Sequence, residues 1–110
     1  MEIKTKTTVM DAEHTTANAR YILHFSVSEN TAEGQQKLQV VEAQVWDKKK
    51  SPTGIDGQET EQEYLVGKLS MQYGYMVPNQ FPYTEKYGTY VNDFMEIINT
   101  IETGLSRKKL

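Results

Sequence analysis

Cysteine is absent from this chain, which removes disulfides, thiolate metal sites and cysteine nucleophiles from consideration and fits a reducing compartment. Histidine is scarce: His14 and His24 are the whole supply of the usual general base near neutral pH. Neither stands in a metal-ligand or triad spacing, and no serine occupies a G-x-S-x-G elbow. Gly54 and Gly57 lack the lysine and helix that follow a phosphate loop. No apolar run approaches the roughly eighteen residues of a membrane span. The opening MEIKTKTTVM alternates polar and apolar residues where a secretion signal has a continuous apolar core. A basic surplus is missing too, since the formal charge is −3, and this argues against general nucleic-acid binding. The expectations are therefore a non-enzymatic protein with no catalytic residue, metal or cofactor and no membrane partner. It would work in the cytoplasm or in a particle assembled there.

What remains is 110 residues, enough for a single domain burying about 65% of the surface its unfolded chain exposes. Ile3 to Val9 alternates with lysine and threonine as a short edge strand, and 10–19 reads as a connection. Tyr21, Leu23, Phe25 and Val27 define a stronger strand, closed by the turn-forming residues 28–34. From Gln36 to Asp47 the phase is split, with Leu38 and Val40 on one side and Val41, Ala43 and Val45 on the other. This implies two covered faces or a bulge near Val40 and Val41. The 48–62 span carries Pro52, Gly54 and Asp56-Gly57 and reads as a long exposed loop. Leu65 to Tyr75 alternates as one long strand, and Pro78 and Pro82 end the pairing.

Thr84 to Gly104 has a clear helical period in Tyr87, Tyr90, Val91, Phe94, Ile97, Ile98 and Ile101, with Leu105 continuing it. Thr84 is the expected N-cap and Gly104 the expected C-cap, with a basic tail at 106–110. The fold class is α+β: a four-stranded, mainly antiparallel sheet followed by one C-terminal helix packed on a face, in the order β-β-β-β-α. Ile97, Ile98 and Ile101 should be core. If Ile22, Leu38, Val40 and Val66 lie on the uncovered face, they form an apolar patch for oligomerisation or binding.

Two groups stand out as contact surfaces. Tyr73, Tyr75, Phe81, Tyr83, Tyr87 and Tyr90 crowd into eighteen residues, and tyrosine combines a large apolar body with a polar tip suited to interfaces. They either close one end of the core or meet a partner. Trp46 beside Lys48, Lys49 and Lys50 offers a stacking platform for single-stranded nucleic acid, although Asp47, Asp56, Glu59 and Glu61 offset that charge. Glu59, Glu61 and Glu63 alternate and would share one side of a strand as a solvated start.

Pro78 with Phe81, Pro82 and Tyr83, leading from antiparallel strands into a helix, resembles the corresponding junction in the SecB family of export chaperones. That resemblance implies an acidic cytosolic oligomer holding unfolded polypeptides in aromatic grooves. SecB proteins are longer and add a second helix after this one. The expected function is a small binding or assembly protein acting through protein–protein contacts, with itself or another protein, such as a phage or mobile-element component or a protein inhibitor. The alternatives are a SecB-like chaperone and a single-strand binder using Trp46 and Lys48 to Lys50.

Overall fold

A computed structural model describes residues 4–30, 32–52, 57, 59–77 and 81–107. Five strands form one antiparallel sheet in sequence order: β1 (Thr5–Thr15), β2 (Arg20–Asn30), β3 (Gln35–Pro52), β4 (Glu59–Gln72) and β5 (Tyr75–Val77). The helix α1 (Tyr87–Arg107) follows and packs across the sheet. The α+β class and the single C-terminal helix agree with the sequence reading, while the sheet has five strands where four were expected.

The inner face is built by period-two alternation on β2, where Tyr21, Leu23, Phe25 and Val27 are all buried. On β3 the split phase is resolved by a bulge: Ser26 pairs with Val40 but Val27 pairs with Leu38, so Gln39 is the extra residue. Leu38 therefore faces inward together with Val41, Ala43 and Val45. A second shift, between the pairs Val45–Gly67 and Trp46–Leu65, makes Val66 the extra residue of β4. Val66 turns into the core and Leu65 turns out, reversing the phase that plain alternation assigns to them. Tyr90, Phe94, Ile97 and Leu105 close the core from the helix, with Ile98 and Ile101 packed partly buried beside them.

Several expected boundaries are corrected. Residues 10–15 belong to β1, because Asp11 and Glu13 meet His24 and Arg20 across the ladder and hold a polar strand in place. The 48–62 span is largely ladder, with Lys48 opposite Glu63, Lys50 opposite Glu61 and Pro52 opposite Glu59; residues 53–56 and 58 lie outside the described residues. Opposite charges across the pair stabilise an arm that has no apolar face to announce it. The long strand to Tyr75 instead reverses at Tyr73 and Gly74, whose φ angles of 50° and 87° fit the tight turn of a two-residue hairpin.

The helix also starts later and ends later than its caps suggest. Thr84 forms a turn, its hydroxyl accepting the Lys86 N–H (3.2 Å) and its carbonyl the Tyr87 N–H (3.1 Å); the first helical bond runs from Tyr90 N–H to the Lys86 carbonyl (3.0 Å). Gly104 lies within the helix, because burying Leu105 at the end where Leu38 and Met71 lie offsets the ~1 kcal/mol penalty of a helical glycine. Of the expected basic tail, Ser106 and Arg107 extend the helix and 108–110 lie outside the described residues.

The uncovered face is more polar than expected. Leu38 and Val66 lie under the helix, leaving Ile22 and Val40 half-buried on the other side. Around them run the ion pairs Arg20–Glu13 (3.0 Å), Arg20–Glu63, His24–Asp11 and Lys68–Glu42 (3.7 Å).

Candidate interaction surface

The aromatic group divides into an anchored half and a displayed half. Gly67 is where the anchor begins, because a Cβ there would sit 2.7 Å from the Phe81 ring and 3.2 Å from Pro82. Phe81 thus lies flat on bare β4 backbone and packs against Tyr87 edge-on at 5.1 Å and against Tyr90 at 6.1 Å. Tyr90 is 1% exposed and is core.

Two buried carboxylates tie this end of the helix to the sheet. Asp47 continues the inward positions of β3 and accepts hydrogen bonds from the Tyr90 hydroxyl, Lys86 Nζ (3.3 Å) and its neighbour's N–H at Lys48 (2.7 Å). Burial pushes the Asp47 carboxyl up, but those three donors and the charge of Lys86 together hold it below the usual carboxylate range. Asp93 faces inward from the helix and accepts from the Tyr21 hydroxyl (2.8 Å), Thr16 Oγ1 (2.8 Å) and Asn18 Nδ2 (3.2 Å). Burial first, and the carboxylate partners second, raise both tyrosine hydroxyls, so each remains a neutral donor. The sequence reading missed this pair of anchors. Its signal was an aspartate at 93 inside the Tyr90–Phe94–Ile97 apolar stripe, where an unpaired charge would be costly.

The displayed half is Tyr73, Tyr75 and Tyr83, which are 66%, 78% and 95% exposed, with Tyr87 half-exposed. Tyr73 and Tyr75 lie at the far end of β4, roughly 20 Å along the strand from Gly67. The six residues are therefore not one cluster. Met76 in β5 and Leu65 in β4 are exposed too, Met76 on the helix side of the sheet and Leu65 on the open side.

Trp46 lies on the open face of the sheet beside its ladder partner Leu65, half-buried, with the Arg20 guanidinium 5.8 Å from its ring centre and its Nε1 donating to Gln44 Oε1 (3.2 Å). It borders a groove of about 570 Å³ between the β1–β2 turn and the β3–β4 arm, with Asn18, Asp47, Lys48, Glu61 and Glu63 also on its walls. Two of the three lysines are engaged across the ladder: Lys48 pairs with Glu61 (3.4 Å), and Lys49 stands 5.6 Å from the centre of the Tyr64 ring. Glu59, Glu61 and Glu63 share one side of β4, as their alternation implied. Hydrogen bonds from Arg20 pull the Glu63 carboxyl below its usual range.

His24 is paired to Asp11 on the exposed face, directly across from Glu42. His14 stands on β1 beside a shallow 150 Å³ recess with Ala12, Leu23, Ile97 and Ile101. The two histidines project to opposite faces of the sheet, His24 on the open side and His14 on the helix side, so they do not converge. No helix among the described residues is long and apolar enough to cross a membrane. No family model matches the chain, and no curated protein or solved structure matches it either.

Proposed function

We propose that this is a non-enzymatic binding protein that acts through protein–protein contacts, with the β4–β5 flank and the approach to α1 as its partner-facing surface. The observation that carries the reading is Tyr73. It holds a left-handed φ of 50° while two-thirds exposed, in a turn where asparagine or glycine is conformationally cheaper by about 1 kcal/mol. A bulky aromatic held in an unfavourable backbone conformation, with no core to fill, points to a role outside folding. Tyr75 is displayed beside it and Tyr83 on the approach to α1, and such side chains supply the anchoring contacts of many interfaces.

The test uses two variants. Tyr73→Asn should raise stability to urea by about 1 kcal/mol while weakening partner binding. Tyr73→Ser with Tyr75→Ser and Tyr83→Ser should keep the fold and lose binding by about a hundredfold or more. The partner is captured on immobilised wild-type protein, purified and titrated calorimetrically against all three forms. Equal affinity for wild type and triple variant would refute the assignment. The SecB-like reading predicts a different result: suppression of aggregation of a reduced, unfolded client with little sequence preference, lost in the same triple variant.

A further inference from the structure

The bulge at Val66 marks a boundary in the sheet. On one side of it Val66, Leu69 and Met71 are buried, and on the other every residue of β4 from Glu59 to Leu65 is exposed. The same line divides β3, where the inward Val41, Ala43, Val45 and Asp47 give way to exposed Lys48, Lys49 and Lys50. The ladder of β2 ends here too, at the pair Arg20–Trp46, so among the described residues β3 has no strand on that side past Trp46. Lys48 to Pro52 and Glu59 to Glu63 therefore form a two-stranded arm beyond the core. Polar contacts clamp its base on both faces. On the helix side Asp47 accepts from Tyr90 and Lys86. On the open side Arg20, the first residue of β2, donates through Nε (2.9 Å) and Nη2 to the two carboxylate oxygens of Glu63, and through Nη1 to Glu13 (3.0 Å). The same guanidinium lies over the Trp46 ring.

We propose that this arm is a separately opening unit hinged at the Val66 bulge, with Arg20 as its latch and ionic strength as its control. Asp47 is the fixed end, because Tyr90 and Lys86 hold it and its carboxylate also takes the Lys48 N–H at 2.7 Å. Beyond it the resistance to opening comes from ladder bonds and from exposed charge pairs such as Lys48–Glu61 (3.4 Å). A two-stranded hairpin without a covered face is marginal in water, and a bulge interrupts the ladder where this one joins the core. Opening costs little apolar burial, since the arm's side chains are exposed already. Closing seats Glu63 on Arg20 and holds the guanidinium over Trp46. Opening releases Arg20 from its bidentate partner, widens the groove between the β1–β2 turn and the arm, and uncovers Trp46 on its wall. Salt acts on this balance because the ladder sets Lys48 opposite Glu63 and Lys50 opposite Glu61, and screening weakens exposed opposite charges. The device is independent of the binding role proposed for the β4–β5 flank.

Native-state hydrogen exchange of the full chain reads the arm and the body separately. In the wild type the slowest amides within 60–64 should exchange at least about a hundredfold faster than the slowest within 21–27. Dilute urea should leave the arm's exchange unchanged, as local opening requires, while the body amides follow global unfolding. Raising NaCl from about 0.1 M to about 1 M should widen the gap by about threefold or more. Glu63→Gln removes the charge that the latch grips but keeps Arg20 and Trp46 in the chain. It should speed arm exchange by about threefold to fivefold and raise acrylamide quenching of Trp46, the single tryptophan. Lys68→Gln, which removes the pair with Glu42 on the same face of the body, should change neither readout. Arm amides that exchange as slowly as the body overturn the proposal, and so does a gap that salt leaves constant. A Glu63→Gln protein with wild-type arm exchange overturns it as well, and the two wild-type measurements stand whether or not that variant folds.

Discussion

Removing the Asp93 carboxylate tests whether the helix is held to the sheet by its polar anchor as well as by its apolar stripe. In Asp93→Ala the Tyr21 hydroxyl loses its acceptor at 2.8 Å, and Tyr21 is 0% exposed, so water does not replace it. An orphaned buried donor costs about 1–3 kcal/mol. Thr16 and Asn18 also lose a charged acceptor, but they lie at the surface end of the β1–β2 turn and can turn to solvent. Relief of burying a carboxylate offsets part of the total, leaving a net loss of about 1–3 kcal/mol. This is a large share of the 5–15 kcal/mol typical of a domain. Tyr21→Phe should cost about 1–2 kcal/mol, since it removes one bond and leaves Asp93 its other two donors. The decisive quantity is the coupling. In the Tyr21→Phe background there is no hydroxyl to orphan, so Asp93→Ala should cost less there by about 1–3 kcal/mol. Urea unfolding followed by the fluorescence of Trp46, the single tryptophan, gives all four stabilities of the cycle. A coupling below about 0.5 kcal/mol, or a loss below about 1 kcal/mol for Asp93→Ala alone, would refute the anchor.

Two further outcomes follow from the packing and the buried phenols. Gly67→Ala normally improves a strand by about 0.5–1 kcal/mol, but here its methyl would meet the Phe81 ring at 2.7 Å. The expected result is a net loss of about 1–2 kcal/mol in urea unfolding, abolished when Phe81 is also replaced by alanine; a stabilising Gly67→Ala would show that the ring yields freely. The raised Tyr21 and Tyr90 hydroxyls favour the neutral phenol in the folded state. Their contribution is fully present below the unfolded tyrosine value of about 10 and is lost as pH rises through the higher folded values. Urea midpoints should therefore fall above about pH 10, and this alkaline limb should flatten in Tyr21→Phe with Tyr90→Phe. Phenolate absorbance gives the same check, since two of the seven tyrosines should ionise only as the chain unfolds.

Legibility followed apolar patterning. The β2 strand and α1 were plain because Tyr21 to Val27 and Tyr90 to Ile101 bury one side each. The β3–β4 arm and the second half of β1 were missed because Lys48, Lys50, Glu61, Glu63, Asp11 and Glu13 form strands through cross-strand charge pairs, which leave no apolar period. Gly74 was the overlooked sign of the reversal into β5, hidden because Tyr73 and Tyr75 kept the alternation going across it. Among the candidate contact residues, the helical period already set Tyr90 toward the sheet. Nothing local separated Phe81, held on Gly67, from Tyr83, almost fully exposed two residues later.

By itself the sequence determined the class of fold, the helix that closes it, the want of thiol chemistry and the offset of the lysine triplet by nearby acids. These depend on residue type and on periods of two and 3.6, which are properties of a single segment. Only the tertiary structure decided which side Leu38, Leu65 and Val66 face, because a one-residue bulge inverts everything beyond it. It alone brought Asp47 to Tyr90 and Asp93 to Tyr21, pairs separated by 43 and 72 positions in the chain. It also placed β1 at the edge of the sheet, with one strand neighbour among the described residues, for whether a strand has two neighbours or one is a fact about the whole sheet.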